Sequence, residues 1–333
     1  MRHRLTSLAL FVALLPNMAA CSARPASTGN EPQLVLERTI PIAAGSGRID
    51  HMALDPKRRR LFVAELGAGA VEAVELASGK SVGRIGGLKE PQGVGYLADR
   101  DELAVASGGD GSVRFYRGAD LSPLGTLQLG DDADNVRIDA QGRVVVGYGS
   151  GALAVIDPAS RRVLSRIALP AHPEGFQLDG DRAYANLPDA GKIAVIDLAQ
   201  GQVVSLWPNP SARWNFPMAL AKASDALAVV YRLPARLVIF ALSTGKVDQR
   251  LENCGDADDV FFDTSRQRIY VSCGSGAVDV FQRLGTGYTR AARVQTREGA
   301  RTALFSPALD RLFVAARAGA TAEPAAILVY RPR

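Results

Sequence analysis

The segment from Asp258 to Thr296 contains four short runs of alternating apolar and polar residues and reads DDVFFDTSRQRIYVSCGSGAVDVFQRLGTGYTRAARVQT. Each run has the length and alternation of a β-strand, and turn residues separate one run from the next. The runs are Val260 to Asp263, Arg268 to Cys273, Gly276 to Gln282 and Tyr288 to Thr296. The segment therefore predicts four consecutive strands, which we name A to D in chain order.

The beginning of this segment recurs along the chain. Two loop-type residues followed by an alternating apolar run occur at Asp50, Gln92, Asp134, Glu174, Phe216, Asp258 and Arg301, at steps of 42, 42, 40, 42, 42 and 43 residues. A period in the forties with four strands in each repeat is typical of a β-propeller, in which each repeat forms one blade. The sequence predicts an all-β fold, a seven-bladed β-propeller.

The seventh repeat, which starts at Arg301, ends after its strand C. The segment from Gln33 to Ile42 alternates like a strand and belongs to no repeat of its own. If this segment adds the outer strand of the last blade, the ring closes without a long unpaired edge. We therefore expect residues 33–333 to form the propeller, closed by its N-terminal strand.

Strand B carries a recurring phrase that resembles a known family. The phrase reads Leu61-Phe62-Val63-Ala64, Leu103-Ala104-Val105-Ala106 and Ile269-Tyr270-Val271-Ser272 in three of the repeats. With the Gly-containing turn that follows, these phrases resemble the YVTN-type, YncE-like β-propellers of secreted bacterial proteins, and Tyr270-Val271 is the nearest match. The resemblance implies the fold and a secreted location, but this family has no shared catalytic motif to carry over.

The N-terminus has the pattern of a secretory signal. Arg2 and Arg4 precede an apolar run, Leu8 to Leu15, that is too short to span a bilayer. The run leads to Met18-Ala19-Ala20-Cys21, which resembles the bacterial lipoprotein box, and a lipidated Cys21 would anchor the protein to a membrane. We expect residues 1–20 to be a signal peptide and residues 21–32 a flexible tether. The expected location is the cell envelope, on the outer membrane facing the periplasm, with a soluble periplasmic protein as the alternative.

The charge of the chain does not favour nucleic acid as a partner. The formal net charge is +5, and removal of residues 1–20 with Arg2 and Arg4 lowers it to +3. Some relatives suggest single-stranded nucleic-acid binding, which depends on a stronger positive field than this.

Candidate site residues lie where each strand A begins, because strand A lines the central channel of a propeller. The acids and the amide at these positions, candidate metal ligands, are Asp50, Asp134, Asn135, Glu174, Asp258 and Asp259. His51, His172 and Arg301 lie beside them and are candidate catalytic residues. Together they are suited to Ca²⁺ or Mg²⁺ and to a metal-assisted hydrolase, lactonase or lyase. Alternatively, the acids bind backbone amides and fix the ring, while Arg301 neutralises a neighbour.

Other polar and aromatic residues fall in the loops of the same face. They are Tyr148, Asn186, Arg213, Trp214 and Arg232, which are candidates for binding a small molecule, a glycan or a partner protein. Loop packing is the alternative role for each of them. The sequence favours a non-catalytic binding or scaffolding propeller, with an unidentified envelope protein, glycan or small molecule as its partner.

Two cysteines remain after Cys21. Cys254 precedes strand A of the sixth repeat and Cys273 ends its strand B, so the two positions can meet on one face of the blade. In an oxidising compartment this arrangement predicts a disulfide bond, with two buried free thiols as the alternative.

Overall fold

The computed structural model describes residues 32–209, 212–319 and 323–333. The predicted signal peptide, the lipidation site Cys21 and nearly all of the predicted tether lie outside these ranges. Residues from Pro32 to Arg333 form one unit. None of the described helices is long and apolar enough to cross a membrane.

Seven four-stranded antiparallel sheets form the predicted ring of blades. Blade 1 contains Met52–Asp55, Arg60–Glu65, Ala70–Glu75 and Lys80–Ile85, and blade 2 contains Pro91–Leu97, Glu102–Ser107, Ser112–Arg117 and Pro123–Gln128. Blade 3 contains Val136–Ile138, Val144–Tyr148, Ala152–Asp157 and Arg162–Ala168, and blade 4 contains Phe176–Asp179, Arg182–Leu187, Lys192–Asp197 and Gln202–Pro208. Blade 5 contains Arg213–Ala221, Ala226–Leu233, Ala235–Ala241 and Val247–Glu252, and blade 6 contains Ala257–Asp263, Arg268–Cys273, Ala277–Leu284 and Gly287–Gln295. Short 3₁₀ helices at Leu66–Ala68 and Lys222–Ser224 interrupt two of the loops.

Blade 7 is assembled from both ends of the chain, as predicted. Its inner strands are Thr302–Ser306, Arg311–Ala316 and Ala326–Pro332, and its outer strand is the N-terminal Leu34–Pro41. This outer strand pairs antiparallel with Ala326–Pro332, and Ile40 lies opposite Ile327. The N-terminal strand therefore closes the ring by pairing with the last strand of the chain.

The apolar core of the described residues consists of seven clusters, one between each pair of neighbouring blades. Alternation along each strand explains this arrangement, because successive side chains point to opposite faces of a sheet. In blade 1, Leu61 and Val63 pack toward blade 7, whereas Phe62 and Ala64 pack toward blade 2. This strand of blade 1 is thus apolar on both faces.

The two faces of the ring carry different loops. The A–B and C–D turns lie on one face, which we call the lower face. The D–A and B–C loops lie on the other, the upper face, and they contact each other there: the amide of Gly274 donates to the carbonyl of Asp256, and the amide of Gly108 donates to that of Glu90. The upper face is where the predicted site residues enter the channel.

Candidate functional site

Side chains from five blades meet at the upper end of the central channel, in a cavity that we call the channel mouth. Its volume is about 50 Å³, roughly the space of one or two water molecules. The predicted residues that line it are Asp50, His51, Asp134, Asn135, Glu174, Asp258 and Asp259. The structure thus brings these seven residues together at one end of the channel. Arg48, Arg137 and Gln177 also line the mouth and were not among the predicted site residues.

Asp258 is held by two arginines at the mouth. Arg232 Nη2 lies 2.5 Å from Asp258 Oδ1, and Arg301 Nε lies 3.0 Å from Asp258 Oδ2. Arg301 also reaches the carboxylate of Asp256 at 3.1 Å. The guanidinium of Arg232 stacks 4.1 Å from the ring centre of Phe216. Arg301 and Arg232, the first a candidate catalytic residue and the second a candidate ligand-binding residue, thus neutralise neighbouring acids.

Asp50 and His51 form a second charged group, and Asp50 is only 2% exposed. Arg48 Nη2 lies 2.8 Å from Asp50 Oδ2, and His51 Nε2 lies 3.7 Å from Asp50 Oδ1. Burial raises the pKa of Asp50. Burial opposes the charge of His51, but the carboxylates of Asp50, Asp259 and Asp134 outweigh it and raise the pKa of this imidazole.

Asp134 and Asn135 present free oxygen atoms. Asn135 Nδ2 donates to Asp134 Oδ2 at 3.2 Å, while Oδ1 of each residue has no hydrogen-bond partner among the described residues. Asp134 is 6% and Asn135 2% exposed. Burial opposes the charge of Asp134, but His172 and His51 outweigh it and lower its pKa. A charged acceptor therefore stays ionised, buried and incompletely hydrogen-bonded.

His172 lies behind Asp134. Its Nδ1 lies 2.6 Å from the carbonyl oxygen of Gly149, and its Nε2 lies 4.0 Å from Asp134 Oδ2. Burial opposes protonation, but Asp134 and the Gly149 carbonyl raise the pKa of His172 to about 9. His172 is thus a cation at neutral pH, and it stabilises the charge of Asp134.

Two other acids at the mouth titrate near neutral pH. Burial, together with the charges of Asp134 and Asp258, raises the pKa of Glu174 to about 7. Burial also raises the pKa of Asp259 to about 7, although its Oδ2 accepts a hydrogen bond from the amide of Ala303 at 2.7 Å. Burial lowers the pKa of Arg137. The charge of the mouth therefore changes across the physiological range.

The remaining predicted ligand-binding residues do not line the channel mouth. The hydroxyl of Tyr148 accepts a hydrogen bond from Arg166 Nη1 at 2.7 Å. Asn186 is fully buried: its Nδ2 donates to the carbonyl of Phe216 at 2.9 Å, and its Oδ1 accepts from Asn215 Nδ2 at 2.8 Å. Arg213 and Trp214 lie at the start of the first strand of blade 5, where both are exposed.

Cys254 and Cys273 are joined by a disulfide bond in the structure. Both residues are buried, and the bond links the D–A loop that enters blade 6 to the end of strand B of the same blade. The amide of Cys254 also donates to Asp279 Oδ2 at 2.8 Å. The covalent link therefore fixes the loop that contains Asp256 and leads into the strand of Asp258.

Two further observations define the chemistry of the described residues. No group of three or more histidine, cysteine, aspartate or glutamate side chains among them is arranged to hold a metal ion.

A larger cavity of about 520 Å³ lies on the lower face between blades 5 and 6, lined by Ser224, Gln249 and Tyr288 among others. None of the predicted site residues lines it, so we place the candidate site at the smaller channel mouth, where buried charges converge.

Arg48 and Arg137 were not identified as site residues from the sequence, because of where they lie in the repeat. Arg48 precedes the repeated phrase and Arg137 lies inside strand A, so neither occupies the aligned position that selected the acids. The signal that could have found them is charge balance, because several buried carboxylates from different blades need cations beside them.

No protein-family model matches the chain, and no curated protein matches it. A chain of hydrazine synthase from Kuenenia stuttgartiensis is similar in structure, with a TM-score of 0.73 and 18% identity over 89% of this chain and 99% of that one. A chain of a mitotic checkpoint complex has a TM-score of 0.76 and 14% identity, with 98% of each chain covered. Likeness at these identities establishes the β-propeller fold and nothing about activity.

Proposed function

We propose that this protein is a non-catalytic binding propeller of the bacterial cell envelope, and that its channel mouth binds one donor group, an ammonium or a hydroxyl, of a small polar ligand such as an amine or a polyol. The cavity of about 50 Å³ holds that group, and the rest of the ligand lies above it on the upper face. The β-propeller fold is consistent with a binding or scaffolding role. The proposal adds the place and the chemistry of the ligand.

The proposal rests on the unpaired oxygen atoms of Asp134 and Asn135. Each presents one buried oxygen without a partner among the described residues, and both oxygens belong to side chains that line the mouth. A buried acceptor that loses water without gaining a hydrogen bond costs about 1–3 kcal/mol, and more when it is charged. A ligand N–H or O–H group that satisfies these oxygens recovers that free energy, and the charge of Asp134 favours a cationic donor.

The envelope location is part of the proposal and rests on the sequence. The lipoprotein-type box at Cys21 supports a tether to the outer membrane, and the resemblance of the strand B phrases to YVTN-type propellers supports a secreted bacterial protein.

The charges at the mouth favour binding over a metal-assisted reaction. Arg48 holds Asp50, Arg232 and Arg301 hold Asp258, and a backbone amide holds Asp259. A divalent cation at these carboxylates would lie close to several guanidinium groups, and like charges in a buried site repel strongly.

A melting-temperature screen tests the proposal. The ligands are ethanolamine, putrescine, glucose and glycerol, each measured with the wild type, Asp134→Asn and Asp181→Asn. Asp181→Asn removes the same charge at an exposed position on the lower face. We expect at least one ligand to raise the melting temperature of the wild type and of Asp181→Asn in a saturable way, and to have little effect on Asp134→Asn. A panel without effect, or an equal effect on Asp134→Asn, would refute the proposal.

A further inference from the structure

A second cavity lies on the upper face, beside the channel mouth, and we call it the Arg317 cavity. Its volume is about 110 Å³, and its polar lining consists of Arg48, Arg301, Arg317 and Asp256. Three successive D–A loops, entering blades 6, 7 and 1, bring Asp256, Arg301 and Arg48 to it. Arg317 comes from the B–C loop of blade 7, whose Ala318 amide donates to the carbonyl of Gly45. Four loops thus direct three guanidinium groups toward one space.

The carboxylates near this cavity are already occupied. Asp256 accepts from Arg301 Nη1 at 3.1 Å and lies 3.3 Å from Arg232 Nε, so two arginines share the one acid of the lining. Arg48 is engaged by Asp50. Arg317 has no hydrogen bond or ion pair to any of the residues in the described ranges. One positive charge of the cavity is therefore uncompensated by the described protein atoms.

The backbone beside Arg317 is shaped to let its guanidinium group approach. Gly299 has a φ of +78°, and a Cβ atom built there would lie 2.5 Å from Arg317 Nε and 2.8 Å from its Cζ. A side chain at position 299 would be strained by the backbone and would displace the guanidinium group. The apolar part of the lining comes from Ile49 and Ala315, both buried. Arg317 and Arg48 are themselves exposed, so an ion reaches their guanidinium groups directly from solvent.

We propose that the Arg317 cavity binds an oxyanion, namely the carboxylate or phosphate group of a small molecule, with Arg317 as its main contact and Arg48 and Arg301 beside it. Guanidinium groups bind both kinds of oxyanion through paired N–H donors. The site differs from the acceptor pair at Asp134 and Asn135, which attracts donors, and it goes beyond the function proposed above. Arg48 lines both cavities, so one ligand with a donor end and an acidic end would reach both.

The test uses inorganic phosphate and acetate as probes, each titrated at pH 7 against sodium chloride of equal ionic strength. Binding is read from the melting temperature and from calorimetry. The variants are Arg317→Ala, Arg317→Lys and a control, Arg182→Ala, at an exposed position on the lower face. We expect saturable binding to the wild type and to Arg182→Ala, at least tenfold weaker binding to Arg317→Ala, and an intermediate loss in Arg317→Lys, whose ammonium group makes no paired contact.

The two probes distinguish the ligand class, because tighter binding of phosphate indicates a phosphate group and tighter binding of acetate indicates a carboxylate. Arg317→Ala should leave the binding of ethanolamine or glycerol within about twofold of the wild type, because Arg317 does not line the channel mouth, and this separates a failure here from a failure of the amine or polyol site. Effects of both probes equal to those of sodium chloride would overturn the proposal. Binding that Arg317→Ala leaves unchanged would also overturn it.

Discussion

Asn135 donates a hydrogen bond to Asp134 at 3.2 Å, and this bond uses only one of the two carboxylate oxygens. The other oxygen of Asp134 and the amide oxygen of Asn135 remain buried and without a partner among the described residues. A bond between neighbours in the chain thus holds both side chains in place while their remaining acceptor atoms stay unpaired at the channel mouth. The account of ligand binding depends on this pair.

Ring closure by the N-terminal strand predicts a large loss of stability from a small change in that strand. Ile40 is 1% exposed and belongs to the core between blades 7 and 1, whereas Leu36 in the same strand is 49% exposed. We expect Ile40→Ala to lower the free energy of unfolding by about 2–4 kcal/mol and Leu36→Ala by less than about 0.5 kcal/mol. Urea unfolding measures both. Equal effects of the two variants would contradict the closure, as would a protein without residues 33–42 that melts like the wild type.

The disulfide bond of blade 6 predicts a pattern of alkylation and a cost on removal. Peptide mapping by mass spectrometry should find Cys254 and Cys273 alkylated only after reduction. The two cysteines are 19 positions apart in the chain. The variant with both Cys254→Ala and Cys273→Ala should therefore have a free energy of unfolding about 3 kcal/mol lower than that of the oxidised wild type. Two alkylated cysteines without reductant would refute the bond.

The raised pKa of Glu174 predicts that the free energy of unfolding depends on pH. Its pKa is about 7 in the folded protein against 4.5 as the ordinary value, so the folded state binds the proton more tightly than the unfolded state. The stability that this proton confers is fully present below pH 4.5 and is lost as the pH rises through 7. Relative to Glu174→Gln, the wild type should therefore lose about 3 kcal/mol of unfolding free energy between pH 4.5 and pH 8.

Urea unfolding of the two proteins at several pH values checks this expectation. Exposed Glu298 offers a matched control, since Glu298→Gln makes the same chemical change at a position in solvent. A constant difference between the wild type and Glu174→Gln at all pH values would show that Glu174 is solvated, contrary to its place in the channel.

The fold and the position of the site could be predicted because both depend on local patterns. Alternation in each strand and the recurrence of one phrase specify blades, and every strand A begins at the channel, so acids at that position in different blades must meet. The partners of these acids could not be predicted in the same way. Whether Arg301 reaches Asp256 and Asp258 in the preceding blade depends on loop shape and side-chain length, which the repeat alignment does not contain.

Two predicted ligand-binding residues show the same limit. Tyr148 ends strand B of blade 3, and Asn186 lies near the end of strand B of blade 4, so the alignment correctly placed them toward the upper face. It did not reveal that neighbouring groups already use their polar atoms. Asn186, for example, bonds to Asn215, a residue of the next blade that the repeated phrase does not include.

The most direct test of ligand binding at the channel mouth is a calorimetric titration of ethanolamine, putrescine, glucose and glycerol into three proteins. These are the wild type, Asp134→Asn and the control Asp181→Asn. Because a hydrogen bond to a charged acceptor contributes about 1.5–3 kcal/mol, we predict a saturable isotherm for at least one compound that weakens at least tenfold in Asp134→Asn and is unchanged in Asp181→Asn. The absence of binding to the wild type by all four compounds, or equal affinity in Asp134→Asn, would contradict the account.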